Sequence, residues 1–118
     1  MEKAISQFPV DDLVAAKEFY VEKLGFRIAW EHSSDGHTGL LGIERNGMEI
    51  TLNSPMNGHG RDACVALQVE DTDRYYEEWS PKVRLLRAPK DEDWGARTFD
   101  LIDPFGNTIF VMGPVTGR

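Results

Sequence analysis

The chain is written twice, and that repeat limits its fold more than any single motif does. Superimposing Val10-Asp11-Asp12 on Val69-Glu70-Asp71 also brings Ile5 onto Cys64, Tyr20 onto Trp79 and Gly47 onto Gly106. The period is about half of the 118 residues, whereas solenoid units recur every roughly 20–50 residues and need about three copies to bury their faces. Two modules sharing one core are therefore expected, as a single domain over 1–118 with modules of about 1–59 and 60–118. A chain of this length is ordinary for one domain and buries enough surface to fold without staples.

Each half reads strand, helix, then three strands. In the first, "AISQFPV" is strand-like and "DDLVAAKEFYVEKLG" is helix-like, with aspartate at its start, Leu13, Ala16, Phe19, Tyr20 and Leu24 at helical spacing, and Gly25 as a stop. "FRIAWEH", "TGLLGIER" and "MEITLNS" follow as strands, the last two joined at Asn46-Gly47, a strong hairpin signal. The second half offers "ACVALQV", a helix in "EDTDRYYEEWSPK" with Tyr75, Tyr76 and Trp79 on one face, then "VRLLRAP", "ARTFDLID" and "NTIFVMG".

Successive strand side chains point to opposite sides, so alternation assigns faces. Phe99 and Leu101 oppose Thr98 and Asp100, and Ile109 and Val111 oppose Thr108, Phe110 and Met112. Met48, Ile50 and Leu52 oppose Glu49, Thr51 and Asn53, while Val65 and Leu67 oppose Cys64, Ala66 and Gln68. The apolar face is the one helices would cover. The mixed face suits the wall of a ligand cleft or a sheet surface that simply meets solvent.

A formal charge of −7 argues against nucleic acid, whose affinity comes from cations on phosphates, and suits a cationic ligand or solubility alone. One cysteine, Cys64, rules out an intramolecular disulfide framework. The N-terminal segment lacks a basic stretch followed by an apolar one, and no run approaches the ~20 apolar residues of a membrane span. The expectation is a cytoplasmic protein with no membrane partner.

Paired βαβββ modules with "FYVEKLGF" after the first strand and "DPFGN" before the last resemble the vicinal oxygen chelate superfamily, which includes glyoxalases, extradiol dioxygenases and bleomycin resistance proteins. Trp79-Ser80, Trp94-Gly95, Arg97, Phe99, Leu101, Asp103-Pro104 and Gly106-Asn107 are most similar to the bleomycin resistance branch. The resemblance implies an α+β fold, two βαβββ modules forming a curved mixed sheet around a cleft. Enzymes of the superfamily usually place metal ligands at positions that here are Ile5, Glu49, Cys64 and Phe110; a short hairpin shift would put Thr51 in place of Glu49. Such sites need at least three convergent ligands, so no metal and no cofactor is expected.

Other chemistry is sparse. His32, His37 and His59 lie in or beside glycine-rich stretches that read as exposed turns, and nothing fixes a loop in which His32 and His37 would join Asp35 on a metal. Cys64 lacks a basic neighbour to lower its pKa and reads as a small buried side chain rather than a nucleophile. No catalytic residue is identified, and Asp103 reads as a turn residue. What remains is aromatic and acidic: Trp94 follows "KDED" and Trp30 precedes Glu31, a combination suited to a flat or cationic guest. Trp94, Trp30, Glu49, Thr51, Thr98, Asp100, Phe110 and Cys64 are the expected ligand-binding residues, with Glu49, Asp100 and Asp91 to Asp93 supplying negative potential. The resemblance implies a homodimer that sequesters a cationic glycopeptide antibiotic of the bleomycin group in clefts between subunits, without chemistry. A lyase, isomerase or dioxygenase of the same superfamily is the alternative, and a binding module for another amphipathic metabolite is a third reading.

Overall fold

Two separate hydrogen-bonded sheets organise the computed structural model, which describes residues 2–54 and 62–115. The chain divides into two units, Met1–Ala63 and Cys64–Arg118. His59 and the expected module boundary at 59/60 lie outside the described residues.

The first unit contains β1 (Ser6–Pro9), α1 (Leu13–Lys17) continued by a π-helical segment (Glu18–Lys23), β2 (Arg27–His32), β3 (Gly39–Arg45) and β4 (Met48–Ser54). Its strand order is β1-β4-β3-β2, with β1 parallel to β4 and the other pairs antiparallel. Leu13, Ala16, Phe19, Tyr20 and Leu24 are all buried, as are Phe8, Leu41, Ile43, Ile50 and Leu52 on the sheet face that α1 packs against. Each such aliphatic or aromatic side chain contributes about 1.5–3 kcal/mol by leaving water.

The π-helical segment was not expected from the periodicity. Phe19 and Leu24 are five residues apart, which an α-helix would splay around its circumference. The wider turn, closed by Leu24 N–H donating to Phe19 O at 3.0 Å, brings residues five apart together and keeps both buried. Arg45 then donates to Leu24 O at 2.6 Å, satisfying a carbonyl at the helix end. Asn46 and Gly47, with φ of 51° and 87°, turn β3 into β4 with both central residues left-handed, as the hairpin signal requires.

The second unit repeats the plan with β5 (Cys64–Gln68), α2 (Thr72–Trp79), β6 (Leu85–Asp91), β7 (Ala96–Ile102) and β8 (Thr108–Pro114), in the order β5-β8-β7-β6. Asp71 caps α2 by accepting from Arg74 N–H at 3.3 Å. Trp79 is fully buried, with its ring 5.0 Å from Tyr75 and 6.5 Å from Phe99, while Tyr76 meets Phe99 at 5.6 Å. Phe99, Leu101, Ile109, Val111 and Leu67 form the buried side of the sheet. Two mixed sheets, each with one helical arm, make up the α+β fold that the resemblance implies. Among the described residues, each unit leaves its other sheet face without a helix of its own.

Candidate functional site

In the first unit the register sets Trp30, Gly42, Thr51 and Gln7 in one row across four strands. Trp30 reaches that row because the pairing of β2 with β3 slips between Ile28 and Trp30, and a one-residue bulge moves a side chain to the other face. Gly42 then leaves room for the indole. A Cβ at that position would lie 2.2 Å from the indole nitrogen, far inside contact distance. The His32 ring lies beside Trp30, tilted by 53° with 5.6 Å between ring centroids. Thus His32 ends the strand that the sequence assigns to "FRIAWEH", exposed as expected but set next to an aromatic ring.

Glu49 lies on this same face, directly opposite Glu44, where two bare carboxylates would repel. Each has its own cation: Glu49 pairs with Lys3, and Glu44 with Arg27 at 2.6 Å. The Gly47 N–H, and then Arg27, hold the Glu44 carboxyl below the usual range. The structure therefore brings Trp30, Glu49 and Thr51 onto one face, with Glu49 already engaged.

In the second unit, Thr98, Asp100, Phe110 and Cys64 share a face, with Asp100 directly opposite Phe110. A residue that the alternation missed, Arg87, crosses it from β6. Its guanidinium donates to Thr98 O at 3.0 Å, Thr98 Oγ1 at 2.6 Å and Asp100 Oδ1 at 2.9 Å, and lies 3.7 Å from Glu92 Oε2. The guanidinium carbon is 5.9 Å from the centroid of Phe110. Thr98 is completely buried, and its hydroxyl donates onward to Glu92 at 2.7 Å.

The expected negative potential is consequently reduced here. Asp100 and Glu92 face Arg87, Glu92 also has Lys90 at 3.9 Å, and Asp91 pairs with Arg97 at 3.3 Å. Trp94 stands on the tip of the β6–β7 hairpin, closed by Glu92 N–H to Ala96 O and Gly95 N–H to Glu92 O, and is 60% exposed. A cavity of about 430 Å³ opens beside that tip, with Gln68, Gly95, Ala96 and Met112 among its lining. Cys64 is exposed on the edge strand β5, correcting the expectation of burial: an edge strand lacks a neighbour on one side.

The loop between β2 and β3 is also better held than expected. Asp35 Oδ1 accepts from the His37 and Thr38 backbone N–H groups, both at 2.8 Å, and these bonds hold its carboxyl far below the usual range. His37 Nδ1 lies 2.8 Å from Asp12 Oδ1, and Leu13 N–H donates to His37 O at 2.9 Å. The hydrogen bond with the His37 ring keeps the Asp12 carboxyl below its ordinary value, so Asp12 holds a loop histidine and makes no side-chain cap to its own helix. Asp103 is a turn residue in the strongest sense. It is buried and accepts from Phe105 N–H, Asn107 N–H and Asn107 Nδ2 at 2.8–2.9 Å.

The side chains at the superfamily's metal positions do not fit a metal centre. Ile5 and Phe110 carry no donor atom, Glu49 is paired with Lys3, and among the described residues no three His, Cys, Asp or Glu side chains converge. No helix of the described residues is long and apolar enough to cross a membrane.

Residues 5–111 match the glyoxalase/bleomycin resistance protein/dioxygenase superfamily. A bleomycin resistance protein of Geobacillus stearothermophilus is 28% identical over an alignment of 127 positions that covers 92% of this chain and 94% of that protein. A bleomycin-binding protein solved with bleomycin aligns with a TM-score of 0.78 and 20% identity over 98% of this chain and 100% of the other. The bleomycin-binding protein of Streptomyces verticillus, solved with copper(II)-bleomycin, aligns with a TM-score of 0.76 and 21% identity over 98% of both chains.

Proposed function

The chain belongs to the glyoxalase/bleomycin resistance protein/dioxygenase superfamily, and from that premise we propose that it is a small-molecule binding protein that sequesters a glycopeptide antibiotic of the bleomycin type without transforming it. The observation that carries the reading is the pair of helix-free sheet faces, one bearing Trp30, Glu49 and Thr51 and the other Thr98, Asp100, Phe110 and Cys64, with Trp94 at a hairpin tip. Partly exposed aromatics among placed polar groups are what a flat amphipathic guest needs. The curated and solved relatives described as bleomycin resistance or bleomycin-binding proteins support the same ligand class. In this reading the two units act as modules of one cytoplasmic domain, and a homodimer completes the clefts.

The formal charge of −7 supports the cationic character of the ligand as long-range attraction, since Glu49, Asp91, Glu92 and Asp100 each face a cation of the chain itself. Calorimetric titration with metal-free bleomycin tests the proposal. Saturable binding near one ligand per subunit is expected, with the drug recovered unchanged. Absence of saturable binding, or recovery of a modified drug, would refute it.

A further inference from the structure

Arg87 owes its place to two irregularities in the pairing of β6 with β7. Leu85 lies opposite Leu101, yet Arg87 lies opposite Asp100, and Lys90 opposite Thr98. A regular ladder would set Arg87 against Phe99, on the buried side. The first slip turns it onto the helix-free face. Pro89 sits at the second slip, on an edge strand where a missing N–H costs little.

The guanidinium has five N–H donors; three hydrogen bonds go to Thr98 and Asp100, and Nη1 also lies 3.7 Å from Glu92 Oε2, beyond hydrogen-bond distance. Neither the Nε–H nor the second Nη1–H makes a hydrogen bond among the described residues. Arg87 is also the more open partner, with its side chain 31% exposed against 24% for Asp100 and 18% for Glu92. A guest approaching Phe110 thus meets a pinned, planar cation before either carboxylate, and those carboxylates are already engaged. Pinning matters because a held fork loses little freedom on gaining another acceptor.

We infer that Arg87 is the specificity-determining residue of this face, offering its remaining N–H donors to a hydrogen-bond acceptor on the edge of a flat guest whose cationic groups lie off this face, an aromatic carboxylate being the simplest probe of that acceptor. This rests on reading the face as a ligand site. Asp100 and Glu92 act through Arg87: they hold the fork in place and are not themselves the ligand's partners.

The test is NMR titration of isotope-labelled protein with two probes of matched shape, 2-naphthoate and 2-naphthylmethylammonium. The wild-type chain should favour naphthoate at least five-fold, with shifts at the Arg87 Nε–H and the Thr98 amide. Arg87→Gln removes the cation and uncovers Asp100 and Glu92, so the preference should reverse. Should that variant fail to fold, Asp100→Asn keeps Arg87 and an oxygen that can still accept from it but removes one negative charge beside the guest, and naphthoate should bind at least two-fold more tightly. Equal or cation-favouring binding in the wild type, no binding of either probe, an unchanged order in Arg87→Gln, or unchanged naphthoate affinity in Asp100→Asn would each overturn the inference. Saturable bleomycin binding alongside a cation preference would sink the Arg87 inference and leave the proposed function standing. Naphthoate binding at Arg87 without bleomycin binding would do the reverse.

Discussion

Replacing Gly42 by alanine should evict Trp30 from its face. The added Cβ would lie 2.2 Å from the indole nitrogen and 2.3 Å from Cε2, so the ring must move by more than 1 Å to reach contact at about 3.5 Å. Trp30 is 41% exposed, so more than half of a side chain that can bury about 200 Å² is covered. Losing all of that cover, about 120 Å², costs about 3 kcal/mol at ~25 cal/mol per Å². Alanine offsets about 1 kcal/mol, because glycine in a strand interior carries an entropic penalty. The net expectation is a loss of about 1–2 kcal/mol in urea unfolding. Fluorescence supplies the second readout, best taken in a Trp94→Phe background to remove the other exposed indole. Gly42→Ala should then show a red-shifted emission and stronger acrylamide quenching. Unchanged emission together with unchanged or raised stability would falsify the close packing of Trp30 on β3.

Asp103→Ala strands two backbone donors and an amide in a buried turn, and should lower unfolding free energy by about 3 kcal/mol; a urea midpoint within error of wild type would contradict this. Asp35 ionises in the folded chain below its ordinary value, so its contribution is complete above the unfolded pKa of about 3.9 and disappears as pH falls toward the folded one. Asp35→Asn should therefore lower Tm above about pH 5, with the gap to wild type closing toward pH 2; a gap independent of pH speaks against the loop's hydrogen bonds. Trp94, 60% exposed at a hairpin tip, should be replaceable by alanine within about 0.5 kcal/mol of stability. The same change should weaken bleomycin binding at least about five-fold, and unaltered affinity would remove Trp94 from the site.

The strand and helix order was legible because periodicity and turn chemistry agree throughout the chain. Alternation in β7 and β8 separates Thr98, Asp100 and Phe110 from Phe99, Leu101, Ile109 and Val111, and burial divides these residues in the same way, apart from Thr98. Thr98 is buried beneath Arg87, a residue that alternation could not deliver, since a bulge shifts register without leaving a composition signal. Pro89 two residues later was the available hint. Charge pairing was equally hidden: "KDED" reads as an acidic cluster, yet Glu92 finds Arg87 back along its own arm of the hairpin and Asp91 finds Arg97 across it. The loop at Asp35 looked unconstrained because glycine and serine suggest freedom. Its order comes from one carboxylate collecting backbone donors, a local arrangement that Ser33-Ser34-Asp35-Gly36 permits but does not announce.

The central claim is that the helix-free faces, and not the helices, receive the ligand. Amide and indole chemical-shift mapping with metal-free bleomycin tests it most directly. Saturable shifts are expected at Thr98, Asp100, Phe110 and the Trp94 and Trp30 indoles, with α1 and α2 unaffected. Shifts confined to the helices, or none at saturating drug, would contradict it.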